Sequence, residues 1–328
     1  MNRKGNRVNT VAFGELSPGH IPLRHEVPFP YALAVLSRQG SGDIYVWTGG
    51  SSRADLEQSF KWMSVTKVLV STAFWVQSLP QLDGQILPLD TSVPSPAPPG
   101  VTLRDLLAHC SGLPFDNPHP DGVQDSKNQL GVRLGITSPQ AATIAPFTKR
   151  IYSNYGFEVA ASFAATKLAM PWTQWVARTI LHPLGMSDTK LVGSPAWGAT
   201  SPINDLAKLA AELLNPTRTP LSSSDIAGFA RPVRPGLRGM LPGYGHHRDN
   251  LWGTGVEIHG HKTPHYLPPE FPSEVFGHFG QSGSFIWVDL GAGVAGVFLG
   301  GQNFGSIHKA LWPQLNTQMR HLALSAQG

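Results

Sequence analysis

The sequence predicts an α/β fold of the α+β type, in which an antiparallel sheet flanked by helices carries an inserted all-helical lobe. Short β-rich runs at residues 31–37 and 43–49 are joined by a Gly-containing link, which predicts a hairpin. Similar runs return after about residue 250, at 252–260, 282–290 and 293–301, whereas the middle of the chain has helical periodicity with Pro-rich joins. Strands at both ends with helices between them are most simply arranged as one sheet with a helical insertion.

We expect one domain, residues 1–328, because a chain of 328 residues is long enough for two packed lobes around a sizeable core. Residues 1–60 and 236–328 would form the sheet lobe, and residues 61–235 would form the helical lobe. Two long segments, 115–147 and 240–275, are expected to be loops that influence specificity, and their individual roles stay open.

The predicted helices have recognisable starts or faces. Residues 64–78 are apolar nearly all round, which predicts a buried helix. The other predicted helices are amphipathic or begin at a typical residue: 155–169, 172–181, and a helix opened by Ser201-Pro202 that runs through Leu214. The last helix, near 306–324, contains Pro313, which is expected to kink or divide it.

Composition argues against several classes of protein. The net charge of +4 and the pI of about 9.2 come without a clustered basic motif, so a nucleic-acid partner is not expected. No run of 18 apolar residues predicts a membrane span, and no apolar stretch follows the basic N-terminus, so a cytoplasmic protein is expected. The single cysteine, Cys110, is compatible with a reducing compartment. The oligomeric state is not encoded in any recognisable pattern.

Ser64 and Lys67 form the first candidate chemical element. Residues three apart lie on one face of a helix, so the hydroxyl and the amine can meet. Burial lowers the pKa of a lysine, which then can accept the proton of a serine nucleophile. The same spacing recurs twice in polar surroundings that indicate chance matches, at Ser187 with Lys190 and at Ser306 with Lys309.

The Tyr-x-Asn sequence of Tyr152 and Asn154 occurs once in the chain. A tyrosinate beside a lysine can act as a general base, and an Asn amide can donate to a substrate carbonyl. The alternative is structural, with the tyrosine at a helix entry and Asn154 as the N-cap.

The His-x-Gly sequence of His278 and Gly280 precedes a predicted strand. A glycine at that position lets a substrate approach the backbone, and the N–H of Gln281 can complete an oxyanion hole with that of Ser64. The alternative is a Gly-rich turn with a surface histidine.

With these elements in this order, the chain resembles the serine β-lactamase and penicillin-binding protein family, particularly its class C-like, esterase and D-peptidase branches. Residues 103–114 (LRDLLAHCSGLP) and 183–189 (PLGMSDT) carry the resemblance further. The resemblance implies a β-lactamase/transpeptidase-like fold, no metal or organic cofactor, and a small ester, amide or short peptide as substrate.

The resemblance also implies roles. Ser64 would be the acylated nucleophile, Lys67 and Tyr152 would handle its proton, and Asn154 would bind the substrate carbonyl. His278 stands where the family often has the Lys of a Lys-Thr-Gly triad, and a histidine is mostly neutral near pH 7. We therefore expect an esterase-like hydrolase rather than an enzyme that captures a carboxylate. The alternatives are a β-lactamase, a D-amino-acid peptidase or DD-carboxypeptidase, and a non-catalytic binding protein.

Three other patterns are left outside the predicted site. The sequence Lys262-Thr263-Pro264 approaches Lys-Thr-Gly but has Pro in the third position. The glycines of residues 291–296 match a dinucleotide fingerprint but lead into a predicted strand, which indicates a hairpin turn. Five histidines lie in a predicted loop without the spacing of a zinc motif: His246, His247, His259, His261 and His265.

Overall fold

The computed structural model describes residues 9–80, 84–118 and 144–327. Within these ranges the strands are β1 Val11–Glu15, β2 Tyr31–Arg38, β3 Ile44–Gly50, β4 Phe60–Lys61, β5 Lys190–Leu191, β6 Ala199–Ser201, β7 Gly239–Leu241, β8 Gly245–His247, β9 Glu257–Ile258, β10 Phe276–Gly280, β11 Ser284–Asp289 and β12 Val294–Gly300. The helices are α1 Thr66–Gln77, α2 Leu103–Leu107, α3 Asn154–Leu168, α4 Trp172–Val176, α5 His182–Leu184, α6 Ile203–Leu214, α7 Ser223–Phe229 and α8 Ser306–Ser325. A π-helical turn, Ala177–Leu181, joins α4 to α5.

The main sheet has seven strands in the order β1-β3-β2-β12-β11-β10-β9. Both ends of the chain therefore meet in one sheet, because β12 pairs with β2. The predicted hairpin is confirmed, because β2 and β3 are neighbours that pair in antiparallel. The edge strand β1 differs because it pairs with β3 in parallel. Its mostly exposed residues lack the alternation that would have predicted a strand.

The central strand β2 is buried on both faces. Ala32, Ala34 and Leu36 belong to the core shared with α1 and α6, whereas Leu33 and Val35 belong to the core shared with α8. This division follows from the two-residue period of a strand, which sends alternate side chains to opposite faces. The sheet is thus covered by helices on both sides, and the lobe boundaries at residues 61 and 235 stay predictions.

The C-terminal helix α8 is undivided and Pro313 lies inside it, so the predicted division is wrong, whereas a kink at Pro313 stays a prediction. Trp312, Leu315 and Met319 are buried against the sheet. Packing of this face outweighs the helix hydrogen bond that a proline removes.

The predicted β run at residues 252–260 is also wrong in extent. Trp252 forms a bridge with Glu257, and the chain turns between them with Gly255 at a positive φ of 79°. A glycine tolerates this left-handed backbone without a Cβ clash, so a tight turn replaces a continuous strand.

Candidate active site

Ser64 lies in a single 3₁₀ turn, Met63–Val65, that leads directly into the buried helix α1. Its side chain caps no helix end and is partly exposed. The preceding residue, Met63, has a positive φ of 48°, which is uncommon for a residue with a side chain. Such strain next to a candidate nucleophile is typical of functional turns.

Lys67 is fully buried beneath this turn. Its Nζ donates to Oδ1 of Asn154 at 2.6 Å and to the carbonyl oxygen of Ala196 at 3.0 Å. Burial lowers the pKa of Lys67 to about 7, although the carboxylates of Asp116 and Glu158 oppose the shift. An amine in this state can gain or lose a proton near neutral pH, which an exposed lysine cannot do.

Tyr152 is held in a cage of rings. Its ring centroid lies 4.5 Å from that of His109 and 5.7 Å from that of Trp252, and the Nζ of Lys67 lies 4.7 Å from it. Burial raises the pKa of Tyr152 well above its usual value, while a hydrogen bond with Ser64 lowers it in part. Tyr152 is therefore a neutral phenol at rest.

His278 is buried on β10, so the alternative of a surface histidine is wrong. Its Nδ1 lies 2.7 Å from the carbonyl oxygen of Phe279 and its Nε2 lies 3.3 Å from Oη of Tyr152. A carbonyl can only accept, so Nδ1 carries the hydrogen and Nε2 accepts from the tyrosine hydroxyl. Burial, together with the charge of Lys67, lowers the pKa of His278 to about 3, which keeps the ring neutral.

Asn154 stands at the first turn of α3, whose N-cap is Ser153 rather than Asn154. Its amide oxygen accepts from Lys67, and its Nδ2 donates to Oδ1 of Asp116 at 2.9 Å. An amide nitrogen has two hydrogens, so one N–H of Asn154 is left for a substrate carbonyl.

Gly280 brings β10 against the Ser64 turn. The strand β9 pairs only with Phe276 and Gly277, which leaves the later part of β10 beside that turn. A Cβ on Gly280 would lie 2.2 Å from the carbonyl oxygen of Trp62 and 3.2 Å from the backbone nitrogen of Ser64. The absence of a side chain thus permits the approach that the sequence predicted.

We expect Gly280→Ala to lower both stability and activity, because the added Cβ must displace the Ser64 turn. The cost should be about 1–3 kcal/mol of unfolding free energy. Gly40→Ala is the matched control, since nothing lies within 4 Å of a Cβ there. Thermal unfolding and ester turnover, measured on both variants, check this; equal behaviour of the two would contradict the close approach.

These side chains meet at one cavity of about 400 Å³. Ser64, Tyr152, Asn154, His278 and Gln281 line it, while Lys67 lies beneath its floor. The rest of the lining is mostly apolar but includes the polar or charged side chains of Lys61, Asp116 and Thr200; its other members are Met63, Phe115, Val192, Trp197, Gly198, Ala199, Leu241, Pro242 and Phe279. The structure therefore brings the predicted residues together, although their roles stay proposals.

Comparison with known proteins agrees with this geometry. The Beta-lactamase family model matches residues 32–314, which is most of the chain. The chain belongs to the β-lactamase family. A β-lactamase from Mycobacterium bovis is 36% identical, with a TM-score of 0.75 over 92% of this chain and 98% of that one. The fold predicted from the motifs, the β-lactamase/transpeptidase fold, is thereby confirmed.

Two more distant relatives are named for two different activities. The D-alanyl-D-alanine-carboxypeptidase/endopeptidase AmpH of Escherichia coli is 29% identical over 162 residues, which are 45% of this chain and 40% of that protein. The chain thus spans less than half the length of this relative. The hydrolase EstCE1, which has promiscuous acyltransferase activity, shares the fold with a TM-score of 0.58 at 17% identity, over 92% and 95% of the two chains.

In this β-lactamase family member, the sequence patterns that were left outside the predicted site also lie outside the cavity. Ser187 and Ser306 do not line it, which agrees with their interpretation as chance matches. Residues 290–293 form the turn between β11 and β12 and residues 294–296 begin β12, so the predicted hairpin turn is confirmed. No helix among the described residues is long and apolar enough to span a membrane.

The predicted loop is confirmed for three of the five histidines, whereas β8 contains the first two. His265 is buried and its Nε2 lies 2.8 Å from Oε1 of Glu257, which also lies 3.2 Å from Nζ of Lys262. Lys262 is thus committed to a buried ion pair instead of facing the cavity. Over the described ranges no group of three or more potential ligands is arranged to hold a metal ion.

Sequence reasoning missed two residues beside the candidate catalytic groups. His109, in the 103–114 stretch, accepts the backbone N–H of Ser153 through Nδ1, and its ring contacts that of Tyr152 at an interplanar angle of 36°. Asp116 follows that stretch and reaches Asn154. The stretch itself was a usable signal, but nothing in it indicated which side chains would face the site. Most of the predicted loop 115–147 lies outside the described residues.

Proposed function

We propose that this chain is a serine hydrolase that cleaves a small ester or amide through an acyl-Ser64 intermediate, with esters as its better substrates. The observation that supports this most strongly is the convergence of Ser64, Tyr152, Asn154 and His278 on one cavity above the buried amine of Lys67. A nucleophile, a base of suitable pKa and a polar group for the carbonyl are the parts that acyl transfer requires.

In the first step, the Oγ of Ser64 attacks the substrate carbonyl carbon and its proton passes to the neutral amine of Lys67. The N–H groups of Ser64 and Gln281 stabilise the tetrahedral oxyanion, and the free N–H of Asn154 binds the acyl part. The C–O or C–N bond then breaks, and the leaving group takes a proton from the Tyr152 hydroxyl, which the Lys67 ammonium replaces. Water attacks the acyl-Ser64 ester by the same route in reverse and restores the free serine.

Tyr152 acts in this scheme as a relay rather than as a resting tyrosinate, because its pKa is raised by burial. A hydrogen bond joins its hydroxyl to the side chain of Ser64, and the hydroxyl donates to Nε2 of His278 at 3.3 Å. As a neutral phenol, Tyr152 can therefore deliver its own proton to the leaving group and does not need to be a tyrosinate beforehand. Lys67, with its pKa lowered to about 7, is the base.

The hydrogen bonds of His278 favour a substrate without a carboxylate. Its Nδ1–H is donated to Phe279 and its Nε2 accepts from Tyr152, so neither nitrogen is available to a substrate carboxylate. The lining of the cavity includes Lys61 and Asp116 but is otherwise mostly apolar, which favours an acyl group without charge. A lysine at this position would instead offer a permanent cation.

The substrate preference can be measured with p-nitrophenyl acetate, p-nitrophenyl butyrate and nitrocefin, which carries a carboxylate. We expect ester cleavage with little nitrocefin turnover, and faster cleavage of the butyrate because its longer acyl group buries more apolar surface. Rapid nitrocefin turnover would contradict the role that we give to His278 while leaving Ser64 as nucleophile.

A peptidase is the second candidate, because similarity to AmpH covers 162 residues of the chain. The relevant substrate is a peptide ending in D-alanyl-D-alanine, assayed by release of the terminal amino acid. Release at a rate exceeding ester turnover would favour this candidate over the esterase.

A further inference from the structure

Among the described residues that line the cavity, Asp116 is the one with an acidic side chain. Its neighbour Phe115 accepts the backbone N–H groups of Asn154 at 2.7 Å and Tyr155 at 3.1 Å. These bonds attach this segment to the first turn of α3. The Oδ1 of Asp116 then accepts from Nδ2 of Asn154 at 2.9 Å. The carboxylate is therefore held in a fixed place relative to the amide.

This contact decides which way the Asn154 amide faces. In the observed orientation its NH2 faces the Asp116 carboxylate, and its oxygen faces the Nζ of Lys67 at 2.6 Å. The reversed amide would place oxygen against a carboxylate and NH2 against an amine that already donates. The oxygen–carboxylate contact would be repulsive, and the NH2 would either repel a protonated Lys67 or occupy the lone pair of its neutral amine, so the charge of Asp116 selects the observed orientation.

The orientation of Asn154 in turn fixes the amine of Lys67. A neutral amine has two N–H bonds and one lone pair. The two N–H bonds are donated to Oδ1 of Asn154 and to the carbonyl oxygen of Ala196. The remaining tetrahedral position therefore holds the lone pair, and Ser64 stands one turn earlier on the same helical face.

We propose that Asp116 is a positioning residue, which acts through Asn154 to hold the Lys67 amine with its lone pair ready for the serine proton. This inference rests on the proposed function, because the amine needs orientation only if Ser64 is the nucleophile. Asp116 contributes geometry and charge, and the two contributions are separable by substitution.

The charges around Lys67 set the direction of the pH effect. The carboxylates of Asp116 and Glu158 raise the pKa of Lys67 against the larger effect of burial. The other titratable groups close to it are Tyr152, His109 and His278. Removal of either carboxylate should lower the Lys67 pKa further, so more of the amine is neutral at a given pH.

Three variants separate geometry from charge. Asp116→Asn keeps an acceptor oxygen without the charge, Asp116→Ala removes both, and Glu158→Gln removes a charge without touching Asn154. The pH profile of kcat/KM for p-nitrophenyl butyrate reports the free-enzyme pKa of the base. We expect the acidic limb to move to lower pH in all three. The plateau should fall about 10- to 100-fold in Asp116→Ala alone, as expected for a misplaced base.

The control is Asp90→Asn, because Asp90 is an exposed carboxylate paired with Arg104. An unmoved acidic limb in Asp116→Asn, or a full plateau in a folded Asp116→Ala, would overturn the inference. If Asp116→Ala does not fold, the pH at which the acidic limb of Asp116→Asn lies decides whether the inference holds. Loss of activity in Ser64→Ala with normal Asp116 variants would remove this inference and leave the proposed function intact. Full activity in Ser64→Ala would remove both.

Discussion

Replacing Ser64 by Ala is expected to lower ester turnover by roughly 10⁴-fold or more, because removal of a serine nucleophile eliminates the acyl-enzyme route. The substitution removes one partly exposed hydroxyl that caps no helix end. Its effect on stability should therefore be small, and the unfolding temperature should stay close to that of the unmodified protein. Turnover of p-nitrophenyl butyrate and thermal unfolding of the same samples measure both effects.

The matched control is Ser187→Ala, which changes the serine of another Ser-x-x-Lys sequence. Ser187 is exposed and does not line the cavity. Its turnover should equal that of the unmodified protein. Comparable turnover in Ser64→Ala and Ser187→Ala would contradict the assignment of the nucleophile.

Replacing Lys67 by Met is expected to lower ester turnover by about 10²- to 10⁴-fold, the range for loss of a general base. In the unmodified protein, activity should rise with pH through about 7, because the Lys67 pKa is lowered to about 7 and the deprotonated amine is the base. At its ordinary pKa the same lysine would be almost wholly protonated at pH 7. The variant should lose this acidic limb together with its activity.

Met is chosen because it fills a similar volume in a buried site without introducing a charge. Lys190→Met serves as the control, since Lys190 is exposed in the second Ser-x-x-Lys sequence. A Lys67→Met protein that keeps both its turnover and its acidic limb would rule out Lys67 as the base.

Local patterns made much of the fold predictable. The hairpin of β2 and β3 follows from two β-rich runs and a Gly-containing link, and α1 follows from an apolar run. The proposal that Ser64 and Lys67 act together likewise needed only helical spacing and an apolar wrapping. In these cases the residues that decide the structure are neighbours in the sequence.

Other parts of the site depend on contacts between distant residues. Asn154 contacts Lys67, which is 87 positions away in the sequence, and Tyr152 contacts His278, which is 126 positions away. No local pattern indicates that His278 would be buried with both ring nitrogens committed, or that Asp116 would orient Asn154. The order of motifs indicated which residues belong together, whereas their protonation states depend on burial.

The measurement that tests the central claim most directly is intact-protein mass spectrometry after treatment with a fluorophosphonate, followed by peptide mapping. A fluorophosphonate reacts with an activated serine and leaves a stable adduct. We predict one adduct per chain, located on Ser64, and no adduct in Ser64→Ala or Lys67→Met. An unmodified protein, or an adduct on another residue that persists in Ser64→Ala, would contradict the account of Ser64 as an activated nucleophile.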